Sequence, residues 1–340
     1  MHRSPQPITF QRFPALRRSG FTLIEVLVSM AILSLMLIVL VNITDQVQRT
    51  YRATQGKTEQ FRESRIAFES LTRRLSQATL NTYWDYDNPS TPTRYQRQSE
   101  LRFRSGIASD LLPSNMKTTT HAVFFQAPSG YVSNSASYGG LENLLNTMGY
   151  YIEFGDDSVI RPGILPANIP VKSRFRLYEL AEPSETLSIY TYTSGNPLFK
   201  GMDWFRVPLA AMPRPSRVLA TNIVALIIWP KDPQNISLTT DYNYDTSPTG
   251  SSPQPNSEHQ LPPILQVTMV AIDDASAVRL AEANATAMPA FIETQWFTQS
   301  NQARFDEDMT ALKAKLSAEK LNYRIFTSNI SISGAKWSRN

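Results

Sequence analysis

Arg17-Arg18-Ser19-Gly20-Phe21-Thr22-Leu23-Ile24-Glu25 joins a basic leader to an apolar run that continues to Val41. From Phe21 to Ile43 there are 23 residues, and Glu25 is the only charged one. As a helix, that length crosses a hydrocarbon core of about 30 Å. An ionisable group inside such a segment is costly, which marks Glu25 as a functional residue. Residues 1–20 carry Arg3, Arg12, Arg17 and Arg18, and no acid. Positive charge just before an apolar helix stays cytoplasmic, so everything beyond Ile43 is expected on the far side of the membrane. A secretory signal has a shorter apolar core, about 7–15 residues, ending in an A-x-A-like site. The run Val41-Asn42-Ile43-Thr44-Asp45 lacks that pattern.

Beyond this stretch the chain reads as globular. It has 340 residues, 41% hydrophobic and 18% charged, with ample material for a core. A net charge of +4 and a pI near 9.2 invite a nucleic-acid reading. Without the leader, however, 29 basic residues face 29 acidic ones. The basic character belongs to the leader as a topology signal, carried nearest the helix by Arg17 and Arg18, and no nucleic-acid partner is expected. The chain has no cysteine, which excludes disulfides, thiol catalysis and thiolate metal sites. Its histidines are His2, His121 and His259, and it holds no G-x-S-x-G, H-E-x-x-H or G-x-x-x-x-G-K-[ST] pattern. No catalytic residue and no cofactor are therefore expected.

Between Thr44 and Thr82 there is no proline, and Gly56 is the only glycine. Phe61, Phe68 and Leu75 recur every seven residues, with Ser64, Leu71 and Ala78 at the second seam position. This is one apolar stripe at helical period. Arg65–Glu69 and Glu69–Arg73 support it as i,i+4 pairs. A helix from Phe21 to Leu80 would be roughly 90 Å long, with its first half in lipid. Pro89 reads as the breaker. The period then shifts to two, first at Leu101 and Phe103, which alternate with Arg102 and Arg104. Further strands are expected at His121–Gln126, Tyr150–Phe154, Phe175–Leu180 and Leu187–Thr193. Leu219–Trp229 should be the central strand, with Ile264–Ile272 another. Residues 245–263 read as a mobile loop. Helices are expected at Ser276–Asn284 and Gln302–Lys320, the latter with Phe305, Met309, Leu312 and Leu316 on one face, and a strand at Asn322–Ser333. A long helix followed by short strands predicts an α+β fold with an antiparallel sheet.

The run Gly20 to Glu25 before an apolar helix resembles the processing motif of the type IV prepilins and pseudopilins. Residues 68–86, 175–180, 218–223 and 330–338 look like large minor pseudopilins, most of all the Verru_Chthon cassette protein C family. This resemblance implies a pilin-like architecture, with the distal half of the helix packed on the sheet. It implies a cytoplasmic leader over 1–20, a transmembrane or filament-core helix over 21–43, an amphipathic spine over 44–80 and an extracytoplasmic domain over 81–340. A prepilin peptidase would cut between Gly20 and Phe21, and the new amine of Phe21 would be methylated. Glu25 would pair with a neighbouring subunit's N-terminal amine during assembly. Implied partners are that peptidase, other pilin or pseudopilin subunits, the inner-membrane assembly machinery and, before assembly, membrane lipid. The implied location is the bacterial inner membrane, single-pass with a periplasmic domain, and then a type II secretion or type IV pilus-like filament. Its bulk suggests a tip position. The competing reading is a membrane-anchored adhesin or glycan binder that never polymerises.

Asp241, Asn243 and Asp245 place three oxygen side chains at alternate positions, as a calcium loop does. They lack the glycine and terminal glutamate of an EF-hand. Asp156, Asp157, Asp273 and Asp274 read as turn and strand-end residues. The aromatic clusters at Tyr83, Trp84 and Tyr86, and at Trp204 and Phe205, are expected in the core.

Overall fold

A computed structural model describes residues 22–140, 143–158, 161, 171–191, 201–284, 287–289 and 295–337. The leader, with Arg17, Arg18 and Gly20, lies outside the described residues, as does Phe21. The chain divides into two compact units, residues 1–55 and 56–340. Helix α1 (Leu23–Ser76) contributes to both. In the first unit its large apolar side chains are all exposed, from Leu23 at 79% to Val47 at 61%. Side chains in that state need a lipid or protein covering rather than water.

The second unit continues through β1 (Tyr83–Tyr86), β2 (Tyr95–Gln98), β3 (Arg104–Ile107), α2 (Ala108–Leu111), β4 (His121–Pro128), α3 (Ser135–Tyr138), β5 (Leu145–Gly155) and β6 (Arg174–Glu182). There follow α4 (Ser188–Thr191), α5 (Asp203–Ala210), β7 (Ser216–Thr221), β8 (Ile223–Lys231), β9 (Tyr244–Asp245), β10 (Ile264–Ile272), α6 (Asp274–Asn284), α7 (Gln302–Ala318) and β11 (Tyr323–Ser331). Among the described residues the strands form an antiparallel six-stranded sheet, β7-β6-β5-β4-β3-β9. A three-stranded sheet, β11-β10-β8, and the hairpin β1-β2 complete them. The protein is thus α+β, a long apolar-led helix followed by antiparallel sheets.

The heptad stripe is where the spine meets the sheets. Ser64, Phe68, Leu71, Leu75 and Ala78 are all buried. Phe68, Leu71, Leu75 and Ala78 share one core with Val123, Phe125 and Tyr150 of the large sheet, with β8 and β10, and with Phe305, Met309, Leu312 and Leu316 of α7. The Phe68 and Phe326 rings lie 5.8 Å apart. On the solvent side Arg65 reaches Glu69 at 2.9 Å, an exposed pair worth only a few tenths of a kcal/mol. The large sheet's other face carries a second core, with Phe124, Tyr151 and Leu180 under Trp204, Phe205 and Leu209 of α5.

Gly149 makes that second core possible. It sits directly across from Phe124, and a Cβ there would lie 2.3 Å from Phe124 Cδ1. The Phe124 ring is fixed from outside by Phe205, stacked at 4.1 Å, so it has nowhere to retreat. Gly149→Val should therefore overpack the core and destabilise the protein by about 2–3 kcal/mol. The urea midpoint of the full chain in detergent measures this, and an unchanged midpoint would refute the packing account.

Several expectations are corrected. The helix ends at Ser76, short of the expected Leu80. There the chain turns into the sheet, with Thr79 N–H donating to Gln126 O at 2.9 Å and Ser333 N–H capping Ser76 O at 3.0 Å. Leu101, Arg102 and Phe103 are not a strand, and all three are buried. Arg102 donates through Nη1 to the carbonyls of Ser99 and Leu101, which alternation along the chain has no means to foresee. The segment from Leu187 forms the short helix α4, and residues 192–200 lie outside the described set.

The run Leu219–Trp229 is two strands in different sheets. Asn222, at φ 62°, turns the chain between β7 and β8, a conformation asparagine adopts more readily than most residues. Its N–H donates to Phe175 O and its carbonyl accepts from Ile272 N–H, so it clips the two sheets together. The central strand of the small sheet is β10, while β8 lies at its end. The loop 245–263 is packed at its second half, where Glu258, His259, Gln260 and Leu261 are buried. Gln254 fastens it by accepting from Arg97 N–H at 3.1 Å and donating to Arg97 O at 2.8 Å.

Candidate functional site: the amino-terminal end of the long helix

Thr22 and Glu25 form a reciprocal cap. Glu25 Oε2 accepts from Thr22 N–H at 2.8 Å and from the Thr22 hydroxyl at 2.9 Å. Glu25 N–H in turn points to Thr22 Oγ1 at 3.3 Å. This is a capping box, which satisfies amide donors that the first helical turn leaves open. A negative charge at this end also meets the positive pole of the helix dipole. The T-x-x-E spacing is a capping-box pattern in the sequence itself, a pairing within the helix distinct from the outside amine expected for Glu25. Oε2 takes both bonds, and among the described residues Oε1 accepts none.

The hydroxyl side chains further along the segment close on their own helix. The hydroxyls of Ser29, Ser34 and Thr44 donate to the carbonyls of Glu25, Met30 and Leu40 at 2.6–2.8 Å. Each needs nothing from outside. Glu25 is the one group in the segment whose charge its own chain only partly compensates. Among the described residues, one helix, Leu23–Gln48, is long and apolar enough to cross a membrane.

The remaining sequence candidates are held by structure. His121 is fully buried, and its two ring nitrogens join parts of the second unit. Nδ1 accepts from Ile228 N–H at 3.0 Å, so Nε2 carries the proton and donates to Phe297 O at 2.8 Å. With Thr120 Oγ1, which accepts from Leu226 N–H, it satisfies the outer edge of β8. Burial pushes the His121 ring down to about 4. His259, placed by the sequence reading in a mobile loop, is fully buried. Burial and then the charges of Arg102 and Arg97 push it down to about 3.

Asp241 accepts from the backbone and side-chain amides of Asn243. Asp245 pairs with Arg104 and accepts from Ser247 N–H, so these oxygens serve the turn and the β3–β9 edge. Among the described residues no group of three or more His, Cys, Asp or Glu side chains is arranged to hold a metal ion. Asp156 closes a turn on Ser158, and Asp273 caps α6 through Ser276 N–H.

The aromatics divide. Trp204 and Phe205 are core, as expected, but Tyr83, Trp84 and Tyr86 are exposed at 40%, 63% and 42%. These three belong to β1, which is exposed along its whole length, whereas Arg97 and Gln98 of its partner β2 are buried, with Arg97 bonded to the 245–263 loop. Tyr86 stacks on Tyr95 at 4.7 Å.

No curated protein and no solved structure matches this chain. Residues 16–41 match the family model described as the prokaryotic N-terminal methylation motif. That window holds Gly20, Phe21, the Thr22–Glu25 cap and most of the exposed apolar helix, and it marks the amino-terminal end of the chain as type IV pilin-like.

Proposed function

We propose that this protein is a minor pilin or pseudopilin subunit. A prepilin peptidase cuts it between Gly20 and Phe21, Phe21 is N-methylated, and the product enters a type II secretion or type IV pilus-like filament. The observation that carries this reading is the methylation motif over residues 16–41, set on a helix whose large apolar side chains are exposed from Leu23 to Val47. Before assembly the helix is a single-pass inner-membrane anchor, with Arg17 and Arg18 cytoplasmic and residues 81–340 periplasmic. In the filament, Glu25 neutralises a neighbour's terminal amine. The large second unit suits a tip subunit, and the stretches noted in residues 68–338 favour the Verru_Chthon cassette protein C family. The protein's role is structural rather than catalytic.

Mass spectrometry of membrane-extracted protein tests the reading. The expected product begins at N-methylated Phe21. Retention of residues 1–20 in a host with an active prepilin peptidase would refute processing. A second reading, an anchored binding module that does not polymerise, draws support from the exposed aromatic hairpin around Trp84. It predicts an intact leader in the same measurement.

A further inference from the structure

We propose that a groove beside β7 binds an extended acidic polypeptide, one of whose carboxylates sits against Arg74. The groove encloses about 550 Å³ between the end of α1 and the β6–β7 side of the large sheet. Its lining includes Arg74, Arg214 and Arg217, with Tyr131 and Met148, and Glu179 at its floor. Glu179 is fully buried and accepts from the Tyr150 hydroxyl at 2.7 Å. It is neutralised by Arg217, whose own side chain is 67% exposed. Arg214 pairs with Glu153 at 2.9 Å. The two acids account for two of the three arginines. Arg74 is half-buried and, among the described residues, has no ion-pair partner. The groove therefore holds one surplus positive charge beside an apolar surface, and a carboxylate complements it where a cation would not.

The backbone next to the groove says how that carboxylate arrives. β7 is the last strand of its sheet and pairs only with β6. Its other edge has no strand partner among the described residues, and Ser216 and Arg217 belong to both this strand and the groove lining. An extended segment added to that edge would gain main-chain hydrogen bonds and place every second side chain on the groove's face. An acidic residue at one such position would reach Arg74. This site lies wholly within the second unit and does not depend on filament assembly.

The test uses the full chain in detergent micelles and two fluorescein-labelled dodecapeptides, one alternating Thr and Glu, the other Thr and Gln. The expected result is at least tenfold tighter binding of the Glu peptide. That advantage is lost in Arg74→Gln, partly restored in Arg74→Lys, and accompanied by slowed hydrogen exchange over Ser216–Thr221. Equal affinity for the two peptides on the unsubstituted protein overturns the proposal, whatever the variants do. So does full binding by Arg74→Gln, or binding without protection of β7. Displacement by inorganic phosphate at the concentration where the Glu peptide itself competes would show a general anion site and would also overturn it.

Discussion

Glu25→Gln should leave membrane insertion and leader removal intact while lowering incorporation into filaments at least tenfold. The substitution separates the cap formed by this side chain from the assembly role proposed for it. As a cap, Glu25 Oε2 accepts from Thr22 N–H and the Thr22 hydroxyl, and a glutamine carbonyl oxygen can do the same. Capping differences of this kind are worth about 1 kcal/mol. As a charge, a carboxylate costs roughly 2.5–3.5 kcal/mol at the bilayer centre on insertion scales, an upper bound for Glu25 in the first turn of the helix. Two neutral hydrogen-bond donors at the helix end relieve that cost only in part, whereas an ammonium group can cancel it. Glutamine keeps the cap and removes the charge, so the drive to meet a neighbour's amine disappears while the helix stays formed. Quantifying the protein in sheared filaments against its membrane pool measures the effect. Incorporation equal to wild type would leave Glu25 as a cap and sink the pairing mechanism. Loss of insertion as well would show that the charge serves folding in the membrane rather than assembly.

Acidification should weaken the second unit through its two buried histidines. In the unfolded chain a histidine titrates near 6.5, whereas burial holds His121 at about 4 and His259 at about 3 in the folded state. Below 6.5 the unfolded state takes up protons that the folded state refuses. The stability present above 6.5 is therefore lost as pH falls toward the folded values. For His121 the full loss is about 3 kcal/mol at 1.36 kcal/mol per pKa unit. His121 is faced by Ile228 N–H, the Phe297 carbonyl and the Tyr242 ring at 4.8 Å, none of which offers a countercharge. Around His259 the nearest acid is Glu258 at 3.7 Å, opposed by Arg97 and Arg102. Glu182 acts in the other direction, because burial raises its carboxyl and the folded state then favours its proton. It offsets part of the loss close to its own titration. Urea midpoints between pH 7.5 and 4 should fall steadily, and His121→Gln should flatten the curve. A flat profile in the wild type, or an unchanged slope in His121→Gln, would refute this.

The parts of the fold legible in the sequence are those governed by periodicity along one element. A stripe every seven residues places Ser64, Phe68, Leu71, Leu75 and Ala78 on one face of a helix, and all five are buried. The apolar alternation of Ile264–Ile272 and the spacing of Phe305, Met309, Leu312 and Leu316 work in the same way, and β10 and α7 lie where they indicate. Other features depend on what a second element supplies. Arg102 alternates with apolar neighbours as a solvent-facing strand residue would, yet it is buried because backbone carbonyls happen to surround its guanidinium. Tyr83, Trp84 and Tyr86 carry a core-like composition, but the loop that covers their hairpin packs on β2 and leaves β1 exposed.

By itself the sequence determined the membrane-length helix with its lone carboxylate and the α+β class, because local order and hydrophobic period require no knowledge of neighbours. The Thr22–Glu25 cap belongs with these, being a matter of three-residue spacing. Tertiary structure alone decided the break of Leu219–Trp229 at Asn222, the burial of His121 and His259, and the convergence of Arg74, Arg214 and Arg217 beside an open strand. Those features bring together residues far apart in the chain, and only the packing of the sheets, the spine and the loops fixes which of them meet.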